Sequence, residues 1–336
     1  MTDPTGTIRI VPAAAVAAAL DRILPDLTRT VAETYLAHER GRTVNPASGF
    51  LRFPSTPDAR IISLPASLEH DEPVAGVKWI ASFPGNVAHN RQRASAVLVL
   101  NDRATGYPVA VLEAGRISAA RTAASAVLGA ETVLGGRRTG RVLVVGAGVI
   151  ARTVVDHLAA GGWEIDELAV HDTVPEYAER LARHAAGAGI TATTAAAPEH
   201  ARECDLVVFT TTAATPWYEH PFRAGQTVLE LSLRDLPADT VLGADNIVDD
   251  VDHCLTAQTS VHLAEQRAGN RDFVTGTLAG LMTGDVALRP DRPTIFSPFG
   301  LGVLDLAVGA RVLQESDGLE GVVTVPGFLG DLTRWA

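Results

Sequence analysis

One segment, residues 141–151, constrains the fold of this 336-residue chain more than any other feature. It reads RVLVVGAGVIA, which is a short apolar strand, a GxGxxA turn and the start of a helix. This context is typical of dinucleotide-binding folds, because glycine permits the tight turn and lets a phosphate come close to the backbone. The alternative is a purely structural glycine turn in another α/β fold.

The chain around this segment alternates between strand and helix patterns from about residue 130 onward. Such alternation favours βαβ units and a parallel sheet. Strands are expected at 141–145, 167–171, 205–210, 227–232 and 246–249, and helices at 149–160 and 176–187. We therefore predict an α/β protein whose residues 126–302 form a doubly wound, Rossmann-type domain.

The N-terminal part has a different pattern. It contains short β-rich pieces at 49–53, 60–68, 74–83, 95–100 and 108–113, and then an Ala-rich helix at 118–134. An amphipathic helix starts near residue 11, and turn residues at 101–107 indicate a hairpin. The final helix, at 302–315, is expected to leave the parallel sheet and pack on the N-terminal half. We predict a second, α+β domain from residues 1–125 and 303–336.

The glycine turn also predicts how a cofactor is held. Gly146 permits the tight turn, and Gly148 lets a pyrophosphate approach the backbone. The N–H groups of Val149 and Ile150 then face the phosphates at the positive end of the helix dipole. Asp172 ends the next strand, 24 residues after Gly148, where a carboxylate binds the adenosine ribose and repels a 2′-phosphate. The predicted cofactor is NAD rather than NADP.

Polar side chains follow two further strands, at the sheet edge where open α/β folds bind ligands. Thr210 and Thr211 end one strand, and their hydroxyls suit the nicotinamide ribose. Ser232 and Asp235 lie just past the next strand. Hydroxyl groups at strand ends also serve simply as turn formers, so both interpretations of the threonines stay open.

Charge and cysteine content exclude several classes of function. The chain has 28 Lys+Arg against 39 Asp+Glu, for a net charge of −11. Without a basic block, neither nucleic acid nor an anionic membrane is an expected partner. Cys204 and Cys254 lack CxxC spacing and the histidines are scattered, so we expect no metal site. A cytoplasmic protein that acts on a small molecule fits best.

Lys78 is the only lysine in the chain, and the other 27 basic residues are arginines. A codon preference explains the excess of arginine, and chance explains one surviving lysine. However, apolar residues flank Lys78 in the strand VAGVKWIASF, which predicts burial. A buried lysine needs an anion or a lowered pKa, and either state makes it a candidate functional group.

Two arginines also occur in apolar surroundings. Arg121 is expected in the first turn of the Ala-rich helix, where a cation opposes the dipole, so a bound carboxylate or phosphate would stabilise it. It could equally reach a surface acid. Arg52 lies within an apolar strand, and its side chain could point either to solvent or into a substrate-binding site. These cations could hold a substrate carboxylate while Asp235 or Lys78 accepts a proton from an α-amino group and hydride leaves Cα.

Six short blocks of sequence occur in a characteristic order: GVK at 76–78 with PGN at 84–86, TGYP at 105–108, RTAA at 121–124, GAG at 146–148, DLP at 235–237 and GLGVLD at 300–305. In these blocks the chain resembles the ornithine cyclodeaminase/μ-crystallin family, over essentially its whole length. The resemblance implies a homodimer assembled through the N-terminal domain. It also implies an active site between that substrate-binding domain and the NAD-binding Rossmann domain.

The resemblance also implies roles for individual residues. Arg52 and Lys78 match the residues that bind the substrate carboxylate. Arg121 matches the arginine shared between substrate and NAD phosphates, and Asp235 matches the acid/base aspartate. The chain departs from the cyclodeaminases after Asp235, where they typically continue Pro-Gly-Lys-x-Glu-Leu. Here residues 237–242 read PADTVL, without the lysine and the glutamate, which argues against ornithine cyclisation.

Longer blocks are similar to one branch of the family, the N-(2-amino-2-carboxyethyl)-L-glutamate dehydrogenases of staphyloferrin B biosynthesis: KWIASFPGN at 78–86, RASAV at 93–97, ISAARTAASA at 117–126, SLRDL at 232–236, GNRDF at 269–273 and SPFGL at 297–301. This similarity implies NAD-dependent cleavage of the substrate to 2-oxoglutarate and L-2,3-diaminopropionate, for siderophores or peptide antibiotics. A synthase that condenses O-phosphoserine with glutamate would be the pathway partner. Three basic side chains also suit a tricarboxylate.

Other functions remain open from the sequence. The same groups would serve an ornithine cyclodeaminase, a ketimine reductase or an alanine dehydrogenase. A non-catalytic protein that binds NAD or another small ligand, like μ-crystallin, is the alternative outside the enzymes. Retention of both Lys78 and Asp235 argues against it.

Overall fold

The computed structural model describes residues 6–69, 73–330 and 332. The chain forms two compact units, the first made of Met1–Arg121 with Leu301–Ala336 and the second of Thr122–Gly300. The domain boundaries expected from the sequence, 125/126 and 302/303, fall a few residues from these divisions. Residues 1–5, 70–72, 331 and 333–336 of the first predicted domain lie outside the described residues. The roles predicted for the two domains stay predictions.

The first unit begins with β1 (Ile8–Val11) and two helices, α1 (Ala13–Ile23) and α2 (Leu27–Glu39). A single amphipathic helix was expected here, but Pro25 lacks an N–H group and divides it at a 3-10 turn, Leu24–Asp26. The elements that follow are β2 (Thr43–Val44), β3 (Gly49–Phe53), β4 (Thr56–Leu68), β5 (Val74–Ser82), β6 (Ala94–Asp102), β7 (Pro108–Glu113) and α3 (Gly115–Leu134).

The second unit continues the chain with alternating strands and helices. In order they are β8 (Arg138–Val145), α4 (Val149–Ala160), β9 (Glu164–His171), α5 (Pro175–Gly187), β10 (Ala192–Thr194), β11 (Leu206–Phe209), β12 (Thr227–Glu230), α6 (Ala238–Leu242), β13 (Asp245–Val248), α7 (Val251–Cys254), α8 (Ser260–Ala268), β14 (Val274–Thr277), α9 (Leu278–Thr283) and β15 (Thr294–Ser297). The chain then returns to the first unit with α10 (Gly302–Glu315) and β16 (Val323–Val325).

The first unit is built on one sheet, with strand order β16-β1-β7-β6-β5-β4-β2 and β3 paired to β4. Its pairs are antiparallel except for β1 with β7. The hairpin expected at residues 101–107 joins β6 to β7, with the Asp102 N–H donating to the Tyr107 carbonyl. As predicted, α10 packs on the N-terminal half, against β4, β5, β6 and α2. Its apolar residues pack against this sheet and exclude water.

The second unit is built on a parallel sheet with strand order β10-β9-β8-β11-β12-β15-β13-β14. Its central strands are buried along their length, as continuous apolar runs such as Leu206–Phe209 require. The chain moves outward from β8 through β9 to β10 and then reverses at β11. This switch point, at the carboxyl ends of β8 and β11, is where such folds bind ligands. The predicted fold class is confirmed.

Among the described residues, none of the helices combines the length and the hydropathy that a membrane span requires.

Candidate functional site

The glycine turn between β8 and α4 has the geometry that the sequence predicts. Gly146 has φ of 92°, a left-handed conformation that side-chain-bearing residues rarely adopt. A Cβ on Gly146 would also come within 2.9 Å of the Thr210 carbonyl group. Thr210 braces the turn, since its Oγ1 donates to the Gly146 carbonyl at 2.8 Å. Only glycine fits this position without moving β8 away from β11.

The start of α4 offers free backbone donors. Gly148 is the N-cap residue and gives the helix no side-chain cap, and a Cβ added to it would meet nothing within 4 Å. Val149, the first helical residue, is 49% exposed, and Ile150 is half-buried. The first N–H groups of a helix lack intrahelical partners, so this open terminus suits an anionic group such as a pyrophosphate.

Asp172 lies directly after β9 and bonds to the same turn. Its Oδ2 accepts from the Ala147 N–H at 2.7 Å, and its Oδ1 accepts from the Val174 N–H at 2.9 Å. The carboxylate therefore holds the glycine turn in place. Each oxygen keeps a further lone pair, so the ribose-binding role predicted for Asp172 is still available to it.

A second group of predicted residues converges on the Asp235 carboxylate, which is fully buried. Thr211 Oγ1 donates to Asp235 Oδ1 at 2.5 Å, and the Ser232 hydroxyl donates to Oδ2. Trp217 Nε1, which the sequence did not suggest, donates to Oδ1 at 2.6 Å. Of the two hydroxyls predicted for the nicotinamide ribose, that of Thr211 thus points at Asp235 and that of Thr210 at the glycine turn, and three donors fix the orientation of Asp235. The acid/base role of Asp235, the ribose role of Thr210 and Thr211 and the cofactor contact of Ser232 stay predictions.

Glu230, at the end of β12, supports Asp235 from the protein interior and was missed by the sequence analysis. Its Oε1 accepts from the N–H groups of Asp235 and Leu236, both at 3.2 Å, and from Ser260 Oγ at 2.5 Å. Ser297 Oγ donates to Oε2 at 3.0 Å. Burial raises the pKa of Glu230 to about 7, and the nearby Asp235 charge adds to the rise. A charged residue ending the apolar strand TVLE was the available signal.

In the first unit, Lys78 and Arg121 are brought together around one carboxylate. Lys78, 1% exposed on β5, donates from Nζ to Asp305 Oδ2 at 2.5 Å and to Ser118 Oγ at 3.2 Å. Arg121 Nε donates to Asp305 Oδ1 at 3.3 Å. Burial lowers the pKa of Lys78 to about 8, since attraction by Asp305 only partly offsets it and Arg121 lowers it further. We call these four residues the Lys78 cluster.

The structure corrects the expectation for Arg121. Helix α3 begins at Gly115 rather than near residue 118, so Arg121 lies in its second turn and the dipole opposes it only weakly. Arg121 is 8% exposed and does not reach a surface acid. Its partner is the fully buried Asp305, on the first turn of α10, which the sequence analysis quoted in a block but did not select.

Arg52 is not part of the Lys78 cluster. It lies on β3, is exposed, and has its guanidinium carbon 5.3 Å from the Phe50 ring centroid. Across the β3–β4 pair it faces Arg60. Its side chain is exposed to solvent, and its predicted role as a carboxylate ligand stays a prediction.

Comparisons with known proteins agree with this fold. The chain is 27% identical to N-((2S)-2-amino-2-carboxyethyl)-L-glutamate dehydrogenase of Staphylococcus aureus over 303 residues, or 84% of this chain and 88% of that protein. Its fold matches that of Thermococcus litoralis Delta(1)-pyrroline-2-carboxylate reductase, solved with NADH and L-proline (TM-score 0.84, 21% identity, 92% and 97% of the two chains). It also matches an archaeal alanine dehydrogenase dimer with bound NAD (TM-score 0.83, 22% identity, 94% and 99%).

A family model also matches most of the sequence. The model of the ornithine cyclodeaminase/mu-crystallin family matches residues 11–318, which include the glycine turn, Asp235 and all four residues of the Lys78 cluster. The chain belongs to the ornithine cyclodeaminase/mu-crystallin family.

Proposed function

We propose that the protein oxidises N-(2-amino-2-carboxyethyl)-L-glutamate with NAD and releases 2-oxoglutarate and L-2,3-diaminopropionate. The observation that carries this proposal is the Lys78 cluster, in which two buried cations lie on either side of one acid. A cluster with a net positive charge suits the binding of a substrate carboxylate. The similarity to the Staphylococcus aureus enzyme of that name supports the same substrate.

The broader class does not depend on this choice of substrate. The protein is an NAD-dependent oxidoreductase of amino-acid derivatives, as its relatives and structural neighbours are, and the predicted enzyme class and cofactor are confirmed. The open terminus of α4 would hold the pyrophosphate, and Asp172 the adenosine ribose. When bound, NAD accepts a hydride from the substrate.

The side chains of this protein would serve the remaining steps. Lys78 and Arg121 bind the carboxylate next to the reacting Cα and so orient the Cα–H bond. Asp235 accepts the proton of the substrate's secondary amine as hydride leaves, which turns the C–N bond into an imine. Asp235 next releases this proton to solvent, takes a proton from the water molecule that adds to the imine carbon, and returns it to the nitrogen. Transfer of the remaining hydroxyl proton to that nitrogen then breaks the C–N bond and releases the amine. Overall, each turnover consumes one NAD and one water molecule, and it forms 2-oxoglutarate, L-2,3-diaminopropionate, NADH and one proton.

We also propose that the protein forms a homodimer through the open face of the first sheet. Trp79 and Val97 lie opposite each other in the β5–β6 pair and are 42% and 41% exposed. Ile10 and Val323 form another exposed apolar pair on β1 and β16. Exposed apolar patches of this kind mark association surfaces. The archaeal alanine dehydrogenase with a similar fold is a dimer.

A synthase that condenses O-phosphoserine with glutamate would supply the substrate, and a siderophore or antibiotic pathway would use the product.

A coupled assay tests the reaction. With the aminocarboxyethyl glutamate as substrate, NADH at 340 nm should appear in equal amount to 2-oxoglutarate. Arg121→Ala should lower kcat/KM, whereas Arg116→Ala, an exposed arginine on the same helix, should not. Conversion of ornithine to proline without net NADH would instead establish cyclodeamination, and L-alanine-dependent NADH formation would establish an alanine dehydrogenase. NAD binding without turnover of any of these would favour a binding protein.

A further inference from the structure

The charge of the Lys78 cluster limits what it can bind. Lys78 and Arg121 share the carboxylate of Asp305, which accepts from both. The cluster therefore carries one net positive charge, in a place where solvent does not screen it. One substrate carboxylate balances that charge. A tricarboxylate leaves two further carboxylates that need cations elsewhere.

The register of the first sheet places other arginines on the same face as Lys78. Arg52 on β3 lies opposite Arg60 on β4, and Arg60 lies opposite Ser82 on β5. Directly opposed residues present their side chains on the same face. Ser82 is four residues from Lys78 with no irregularity in the β4–β5 pairing between them, so both side chains lie on one face, about 13 Å apart along the strand.

Arg93, the residue directly before β6, also reaches this face of the sheet. Its Nη1 donates to Ser82 Oγ at 3.2 Å, and its side chain is half-buried. Burial lowers the pKa of the Arg93 guanidinium. Among the residues that the structure describes, no carboxylate lies within ion-pair distance of Arg93 or Arg52. By contrast, surface arginines such as Arg29 and Arg138 pair with acids. A half-buried cation without an anion is costly, and a bound anion would offset that cost.

We propose that Arg60 and Arg93, next to the carboxylate ligand Arg52 that the family resemblance implies, form a second anion subsite, which binds the carboxylates of the substrate that lie farther from the reacting Cα. This inference rests on the proposed function for the identity of the substrate. The subsite itself follows from the sheet register and selects dicarboxylates and tricarboxylates over simple amino acids. Lys78 and Arg121 hold the carboxylate at Cα. The arginines of the second subsite bind the other carboxylates, about four strand residues away along β5.

The subsite is tested by comparing two substrates in matched variants. The substrates are the aminocarboxyethyl glutamate and its analogue in which the glutamate side-chain carboxylate is an amide. Arg60→Gln and Arg93→Gln should each raise KM for the first substrate by about 10- to 100-fold, the loss expected for one charge-assisted hydrogen bond, with kcat nearly unchanged. KM for the amide analogue should change little. Arg91→Gln, an exposed arginine in the same loop, is the matched control and should behave as wild type.

Direct binding of glutarate, followed by calorimetry, separates the subsite from the reaction. If Arg60→Gln and Arg93→Gln bind glutarate as tightly as Arg91→Gln does, the inference is wrong, whatever the enzyme oxidises. If the wild type does not oxidise the tricarboxylate but these two variants still weaken glutarate binding, the proposed function fails and the subsite stands. Arg93→Lys keeps the charge and should retain most of the affinity, which distinguishes a lost anion contact from a damaged fold.

Discussion

Replacing Asp305 by Asn should move the pH at which the protein loses its affinity for carboxylates. In the wild type, Asp305 accepts from Lys78 through one carboxylate oxygen and from Arg121 through the other. The amide of the variant has one acceptor oxygen and carries no charge, so it loses one of these two contacts and no longer stabilises the Lys78 ammonium. With Arg121 still beside it, the pKa of Lys78 should fall further below 8. Lys78 would then be neutral, and unable to bind a carboxylate as a cation, at a pH where the wild type is still charged.

The magnitude follows from the contacts. An opposite charge at this distance shifts a pKa by about one to three pH units, which corresponds to about 1.4–4 kcal/mol. In the wild type, the pKa of Lys78 falls from 10.5 to about 8 on folding. Below pH 8 the Lys78 ammonium is charged in both the folded and the unfolded protein, and burying the charged group there lowers the free energy of unfolding by about 3 kcal/mol. Between pH 8 and 10.5 only the unfolded chain keeps the proton, so the free energy of unfolding rises with pH.

The assay is calorimetric binding of 2-oxoglutarate between pH 5 and 10. Wild-type affinity should fall as pH rises through about 8, and in Asp305→Asn the fall should occur about one to three pH units lower. Urea unfolding should show the rise in stability beginning at a correspondingly lower pH. Asp317→Asn, which removes an exposed acid paired with Arg9, is the control and should shift neither curve. An unchanged binding midpoint in Asp305→Asn would refute the role of Asp305 in setting the charge of Lys78.

Four further substitutions test the second unit. Gly146→Ala should destabilise the protein and abolish NAD binding, because Gly146 has a φ of 92° and an added Cβ would come within 2.9 Å of Thr210. Gly148→Ala should fold normally and only weaken NAD binding, since its Cβ meets nothing within 4 Å. Equal thermal stability of the two variants would contradict this reasoning. Asp235→Asn should lower kcat by about 10²- to 10⁴-fold in single-turnover assays with NAD affinity unchanged, and an unaltered kcat would remove Asp235 from the acid/base role. Burial raises the pKa of Glu230 from 4.5 to about 7, so wild-type stability should fall by about 3 kcal/mol as pH rises from 4.5 to 7, and in Glu230→Gln urea unfolding should show no such fall.

Local patterns in the sequence were sufficient for much of the fold. The helices α4 and α10 and the strand β7 have the bounds expected from apolar periodicity and from glycine and proline positions. The glycine turn is equally local, because the left-handed φ of Gly146 and the open N-terminus of α4 depend on adjacent residues. These features arise from backbone sterics and side-chain spacing, which neighbouring residues alone determine. The helix start at Gly115 was missed because small residues give no strong cap signal.

The candidate site was predictable only in part. The sequence indicated that Lys78 is buried and that Arg121 needs an anion, since each charge sits among apolar neighbours. It could not indicate that the anion is Asp305, 227 residues from Lys78, because that contact depends on how α10 packs on the first sheet. Glu230 could have been found from its place at the end of an apolar strand, whereas the contact of Trp217 with Asp235 depends on how the loop between β11 and β12 folds.

Whether the Arg52 side chain lies on the same face of the sheet as Lys78 also depends on strand register. A shift of the pairing by one residue would place it on the opposite face. The sequence by itself therefore determined the elements, the glycine turn and the burial of the lone lysine. Only the tertiary structure decided which charges share a partner and which side chains share a face. Electrostatic partners are chosen by distance in space, and that distance is set by packing between elements far apart in the chain.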